Sequence, residues 1–281
     1  MAYWIRSANL QIGPFRYDLN GLEFGFECPF EDSDELGTAT ITIKNLSEQT
    51  RHSIQRNHVV ILNAGYEGDV GLIFKGQVAG MSSKHSGTEW ETEIFATEVT
   101  DEWLSKQVNK TYKRGMSSQD IVRDLCTIFG VEVRKMELAV DKTYPRGRKC
   151  CGKVHEVLRQ IVTGDCKSRF LIRHGQITIS DPKDPVHMGF LLAPHTGLLA
   201  ETEEYEDPYV IENLTSKKDI EGKEESTKGK TCISLLNHAI GPGDAIMVQS
   251  RAMMGRFMAV RGMHKGSRSG DWQTHIEVKP I

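Results

Sequence analysis

Apolar and polar positions alternate through the first hundred residues. Leu22, Phe24, Phe26 and Cys28 are interleaved with Glu23, Gly25 and Glu27, the period of two expected of a strand with one buried face. Thr38 to Lys44 repeats the pattern, with Ala39, Ile41 and Ile43 on one side and threonines on the other. Further strands are predicted over His58–Asn63, Leu72–Val78 and Glu89–Val99, with Gly-rich turns at Gly65–Gly71 and Ser82–Gly87. Short strands at this spacing predict a small barrel or sandwich. Ser47–Gln55 is the one helical candidate among them.

From Asp101 to about Pro185 the period lengthens. Ile121, Val122, Leu125, Cys126 and Phe129 share one helical face, with Ser117 or Ser118 placed to cap its start and Gly130 to end it. Val154, Val157, Leu158, Ile161 and Val162 define a second helix that stops at Gly164. Each helix leads into a short apolar strand, Val131–Arg134 and Arg169–Arg173. His174-Gly175 then predicts a two-residue turn into a strand at Gln176–Ser180.

The last ninety residues return to β patterning at Tyr209–Leu214, Ala245–Gln249, Phe257–Met263 and Trp272–Val278. Gly241-Pro242-Gly243-Asp244 is a strong turn before one of these strands. Lys217–Lys230 holds a single strong hydrophobe, Ile220, and reads as a loop.

One pattern occurs twice. Gly80-Met81 is followed after eight residues by Trp90, Thr92 and Ile94, and Gly262-Met263 after eight by Trp272, Thr274 and Ile276. In a strand, Trp, Thr and Ile at these offsets share a face. The repeat predicts two related hairpins, and so a mainly β fold with an α+β insert. Two small β-barrel domains, residues 1–100 and 191–281, would flank a middle α+β domain, residues 101–190. A trimer of such a chain has six near-equivalent units, a simple way to join a sixfold assembly to a threefold one.

Composition narrows the function. A formal net charge of -3 and a pI near 6.4 argue against nonspecific nucleic-acid binding, which rests on excess Lys and Arg. No apolar run reaches the ~18–20 residues that span a bilayer, and Met1–Arg6 lacks a signal-peptide layout. Synthesis and assembly in a cytoplasm are therefore expected. Six scattered cysteines without a CxxC pair read as reduced thiols, and Cys28 and Cys126 fall at apolar positions of a strand and a helix.

Chemistry is sparse. The ten histidines are scattered, and no GxSxG or HExxH spacing occurs, so no catalytic residue is assigned. Gly229-Lys230-Thr231 mimics the end of a P-loop, but Glu224 stands where its first glycine belongs. Cys150, Cys151, His155 and Cys166 lack the paired spacing of a zinc site and read as ordinary thiols. No metal or cofactor is expected. Trp90 and Trp272 read as core or interface packing. A basic stretch (Lys142, Arg146, Arg148, Lys149, Lys153) and an acidic one (Glu201, Glu203, Glu204, Glu206, Asp207) are either solvated patches or complementary interface charges.

The run Ala64-Gly65-Tyr66-Glu67-Gly68 followed by Gly71-Leu72-Ile73-Phe74-Lys75-Gly76 resembles the first barrel of phage baseplate hub proteins. The tail, from Gly241-Pro242-Gly243-Asp244 through Gly255 to Val278, resembles their closing barrel. The resemblance covers both ends of the chain, and the middle only by layout. It implies a structural protein without enzymatic activity, a homotrimeric ring that joins the hexameric tail tube to the trimeric spike. Its partners would be the tube protein, the spike protein, other baseplate proteins and the tape measure protein, with DNA only as passing cargo. It would reside in a virion or phage-like tail particle. The alternatives are a tail-associated cell-wall hydrolase, which a peptidoglycan zymogram would reveal, and an OB-like single-strand binder, disfavoured by 7% aromatics.

Overall fold

The computed structural model describes residues 5–32, 37–98, 101–205 and 229–281. The strand Tyr209–Leu214 and most of the Lys217–Lys230 loop fall outside these residues; Gly229 and Lys230 open a strand.

The N-terminal β region contains β1 (Arg6–Ile12), β2 (Phe15–Asp18), β3 (Phe24–Glu31), β4 (Thr38–Lys44), α1 (Glu48–Ser53), β5 (Val59–Tyr66), β6 (Asp69–Ser86) and β7 (Glu89–Thr97). Alternation decides the faces: Ala39, Ile41 and Ile43 of β4 are buried, as are Phe24, Phe26 and Cys28 of β3. Helix α1 starts at Ser47, whose hydroxyl accepts from the Thr50 N–H at 3.1 Å. Two turns lie elsewhere than the glycines suggest. Gly65 and Gly71 sit within strands and the chain reverses at Glu67-Gly68; Ser82–Ser86 continue β6, and the reversal is at Gly87-Thr88. In each case the ladder runs on as far as the two-residue turn allows.

The middle region contains α2 (Asp101–Ser105), β8 (Gln107–Tyr112), β9 (Met116–Ser117), α3 (Ser118–Phe129), β10 (Glu132–Met136), β11 (Thr143–Tyr144), β12 (Arg148–Lys153), α4 (Val154–Arg159), β13 (Arg169–Arg173) and β14 (Gln176–Ser180). Ser117 caps α3 by accepting from the Asp120 N–H, and Gly130 ends it in the left-handed conformation at φ 75°. Its apolar face, Ile121, Val122, Leu125, Cys126 and Phe129, is buried. After α4 the helix widens into a π-helical turn over Gln160–Asp165, so Gly164 lies inside the turn rather than ending the helix. The Cys166 N–H donates to the Ile161 carbonyl at 2.9 Å and closes the wide turn. His174 and Gly175 both adopt positive φ and join β13 to β14 as a hairpin.

The C-terminal β region contains β15 (Phe190–Leu192), β16 (Leu198–Tyr205), β17 (Gly229–Leu235), β18 (Ala245–Gln249), β19 (Met254–Ser267) and β20 (Trp272–Pro280). The two β regions form one continuous sheet, in the order β16-β17-β20-β19-β3-β4-β7-β6-β5-β1-β2, with β18 and β15 branching from β19. Hydrogen bonding does not close either region on itself among the described residues; the open edges of β3 and β19 meet instead. Three apolar clusters lie beneath. One is built from β1 to β7 and includes Trp272, one lies around α3 and α4, and one lies under β17 to β20.

Candidate assembly interface

The seam between β3 and β19 fixes the two β regions to each other. The strands run antiparallel from Arg261 opposite Glu31 to Ser267 opposite Gly25. Lys265 stands opposite Glu27, with Nζ 3.0 Å from its carboxylate. Phe26 packs edge-on against Trp272 at 5.7 Å, and the Trp272 indole N–H donates to the Gly65 carbonyl at 3.1 Å. From β1, Arg6 reaches across to donate to the carbonyls of Ser267 and Gly270 at 3.0 and 2.8 Å. The indole and the Arg6 fan make this seam more than a row of backbone bonds.

The middle region is fixed to both β regions at one buried cation. Arg169 of β13 bonds the Asp32 carboxylate, just past β3, at 2.7 and 3.0 Å. It also donates to the Asp184 and Pro182 carbonyls at 2.8 and 2.9 Å and touches the Met258 sulfur of β19. Nearby, a cavity of about 210 Å³ is lined by Cys28, Phe30, Glu98, Arg173, Pro242 and His264, drawn from all three regions. Burial raises the Glu98 carboxyl to about 7 against the pull of the His174 N–H and the Arg173 charge. His174 is pushed down to about 3 by burial and by Arg173. Burial also holds His264 well below its usual range, with Arg173 adding to it. Asp244 bonds His187 at 2.7 Å, and His187 bonds Arg134 at 2.8 Å.

The repeated residues occupy equivalent hairpins. β6 and β7 match β19 and β20, and each pair carries one bulge, at Ala79 in the first and Val260 in the second. Thr92 and Thr274 are fully buried, as are Ile94 and Ile276. Thr92 faces Ser83 with their hydroxyls 3.1 Å apart, and the Thr274 hydroxyl lies 3.1 Å from His264 Nδ1. The first strands are one residue out of step with the motif. Met81 stands opposite Ile94, whereas Gly262 stands opposite Ile276, with Gly80 and Met263 each one rung away. The cause is the connection: Ser86 pairs with Glu89 across two residues, whereas Ser267, whose N–H donates to the Asp271 carbonyl, meets Asp271 across three. On ladder partners Lys84 is therefore the counterpart of Lys265. The shared Lys-x-Ser of Lys84-His85-Ser86 and Lys265-Gly266-Ser267 is the sequence signal for that register.

The equivalence extends to the flanking strands. Val60 and Leu62 of β5 lie on β6 as Ile246 and Val248 of β18 lie on β19, all four fully buried. Ile41 of β4 pairs with Ile94 as Cys232 of β17 pairs with Ile276. The two tryptophans differ in setting. Trp272 is buried in the seam, while Trp90 is half-buried, with Arg51 over its ring at 3.9 Å and the His85 ring tilted against it at 3.9 Å.

The charge clusters are not brought together among the described residues. Arg148 turns to Asp165 at 3.4 Å, beside Lys142 at 3.1 Å and the Tyr144 hydroxyl at 2.7 Å. Burial raises the Asp165 carboxyl, but the Tyr144 and Lys142 hydrogen bonds and the Arg148 charge outweigh it, leaving it below its usual range. Arg146 and Lys149 are exposed. Glu203 and Glu204 belong to β16, with side chains outside the described residues, as is the whole of Glu206. Gly229-Lys230-Thr231 begins β17, not a phosphate-binding loop. Among the described residues no group of three or more His, Cys, Asp or Glu is placed to hold a metal ion, and no helix is long and apolar enough to cross a membrane.

The fold so defined, two β regions welded into one sheet around an α+β insert, is that of tail proteins from phages and phage-like machines. The 43 kDa tail protein of prophage MuSo2 from Shewanella oneidensis matches with a TM-score of 0.67 and 9% identity, over 98% of each chain. A tail protein from Neisseria meningitidis MC58 matches at 0.63 and 10%, over 98% of this chain and 97% of that one. The E. coli c3393 protein matches at 0.61 and 12%, over 97% of this chain and 76% of its own. That protein is a component of the type VI secretion system, structurally similar to the T4 bacteriophage tail proteins gp27 and gp5. At these identities the likeness is one of fold. No family model and no curated protein matches the sequence.

Proposed function

We propose that the chain is a structural hub subunit of a phage-like tail baseplate. Three copies would form a pseudo-sixfold ring between the hexameric tail tube and the trimeric spike, clasped by other baseplate proteins and open to passing DNA. In this reading residues 1–100 and 191–281 are the two tube-like units, and residues 101–190 are the outer α+β unit. The observation that carries it is the rung-by-rung match of β5-β6-β7-β4 with β18-β19-β20-β17, bulge included. Two such units per chain let threefold packing present six similar faces to a hexamer. The likeness in fold to tail proteins supports the same reading. Electron microscopy of tail particles made by the parent genome, labelled with gold-bound antibody to this chain, tests it. Label at the tail tip is expected; label along the tail shaft, or on no particle, would overturn it.

A further inference from the structure

Within the chain, the outer half of β19 does not pair with β18. Only Met254–Met258 does so, and Arg261–Ser267 runs on to pair with β3 of the other β region. β6 is built the same way but stops short of a second partner. Its first half pairs with β5 as far as Gln77. Among the described residues, Ala79–Ser86 pairs only with β7 and is mostly exposed. The counterpart of β3 is β16, since β3 lies on β4 as β16 lies on β17. The outer edge of β16 also has no partner among the described residues, and it ends the sheet. Each chain thus holds one completed seam and the two halves of another.

The chemistry of the open halves is complementary in the same sense as the completed seam. There, Glu27 and Glu31 of β3 face Lys265 and Arg261 of β19. The open β6 edge carries Lys84 and His85 and no carboxylate, and β16 carries Glu201, Glu203 and Glu204 and no basic residue. Superposing ladder partners sets Ala200, Glu201 and Thr202 against Ser86, His85 and Lys84. One carboxylate oxygen of Glu201 is buried without a hydrogen-bond partner among the described residues. Apolar groups wait on both sides as well. Leu199 of β16 is 49% exposed and Met81 of β6 is 38% exposed, one lying beyond each end of those three rungs.

We propose that the Ala79–Ser86 edge of β6 in one chain pairs antiparallel with β16 of a second copy, repeating between chains the seam that β19 and β3 make within one. The proposal rests on the hub reading and deepens it by naming the surfaces that close the ring. Such a head-to-tail contact yields a ring if its rotation divides a full turn, and a filament if not; the hub reading requires three copies. Pairing also buries edge strands that otherwise invite aggregation.

Cross-linking tests it. The full chain with Cys151, the exposed cysteine, changed to serine receives Ser86→Cys and Ala200→Cys together, or each alone. Both the concentrated pure chain and tail particles containing it are oxidised. The double variant is expected to give linked dimers and a closed trimer as its largest product, and neither single variant a ladder. Lys84→Glu added to the pair should cut the linked yield about tenfold by setting like charges together, and Glu203→Lys with Glu204→Lys should restore it. A link within one chain, a ladder running past trimer, no link in either preparation, or a yield indifferent to Lys84→Glu overturns the seam. Gold label at the tail tip with no link sinks the seam and leaves the hub reading standing; absence of label from the tip sinks the hub reading whatever the gel shows.

Discussion

Asp32 and Arg169, 137 residues apart in sequence, form a nearly sealed ion pair, with side chains 9% and 3% exposed. Removing one partner leaves a charge buried without its counterion, which costs about 3–5 kcal/mol. Asp32→Ala is expected to lose that much in a denaturant titration, and a loss under about 1 kcal/mol would mean the pair is solvated. Replacing both, as Asp32→Leu with Arg169→Met, should recover part of the loss, because two apolar side chains need no mutual charge.

The Glu27–Lys265 pair has similar geometry and a different expected weight. Its side chains are 51% and 37% exposed, so water competes for both charges. Lys265→Ala is expected to cost no more than about 1 kcal/mol, read from the same titration. A cost matching that of Asp32→Ala would show that the seam depends on charge rather than on backbone pairing and the packing of Trp272.

Gly266 lies under that packing. A Cβ there would overlap the Phe26 ring and come within 2.9 Å of the Trp272 indole. Gly266→Val should therefore destabilise by about 1–3 kcal/mol or more through overpacking. It should also shift Trp272 fluorescence toward the red as the ring is forced outward. An unchanged emission maximum with full stability would refute this.

Two groups at the junction bias stability with pH in opposite senses. Glu98, at about 7 folded against the 4.5 of an ordinary glutamate, favours the folded state at low pH and loses that contribution as pH rises from about 4.5 to 7. His174, at about 3 against 6.5, favours it at high pH and loses that contribution as pH falls from about 6.5 to 3. Between about 4.5 and 6.5 the slopes oppose each other. Glu98→Gln removes one of them, so stability of the variant should climb more steeply than wild type across this window. Parallel curves would show that Glu98 does not titrate there.

Local pattern carried the elements whose two faces see different surroundings. β4 and β18 have the limits their alternation predicts, and α3 has both its caps; β13 and β14 are buried on both faces and are legible instead as short apolar runs on either side of the His174-Gly175 turn. β1 also alternates, with Ala8, Leu10 and Ile12 on one buried face, but three apolar positions after an irregular start do not mark a strand by themselves. β8 and β12 were not legible. Their buried positions are few, at Val108, Tyr112 and Cys150, and the rest of the pair is charged or small. The Trp-x-Thr-x-Ile repeat pointed to the right strands, but its spacing hid the one-residue slip that turn length imposes. Asp32–Arg169 and the β3–β19 seam lay beyond any local reading, because both are made by partners more than a hundred residues apart.

That separation has a cost during synthesis. Some 230 residues lie between Glu31 and Arg261, which the finished sheet sets side by side. At translation rates of about 5–20 residues per second, the nascent chain carries β3 for roughly ten to forty-five seconds before its mate leaves the ribosome. Through that interval an apolar strand with an unsatisfied backbone edge is exposed to neighbouring nascent chains. Newly made protein should therefore depend on chaperones far more than the finished fold, once its last strand has docked, depends on its environment.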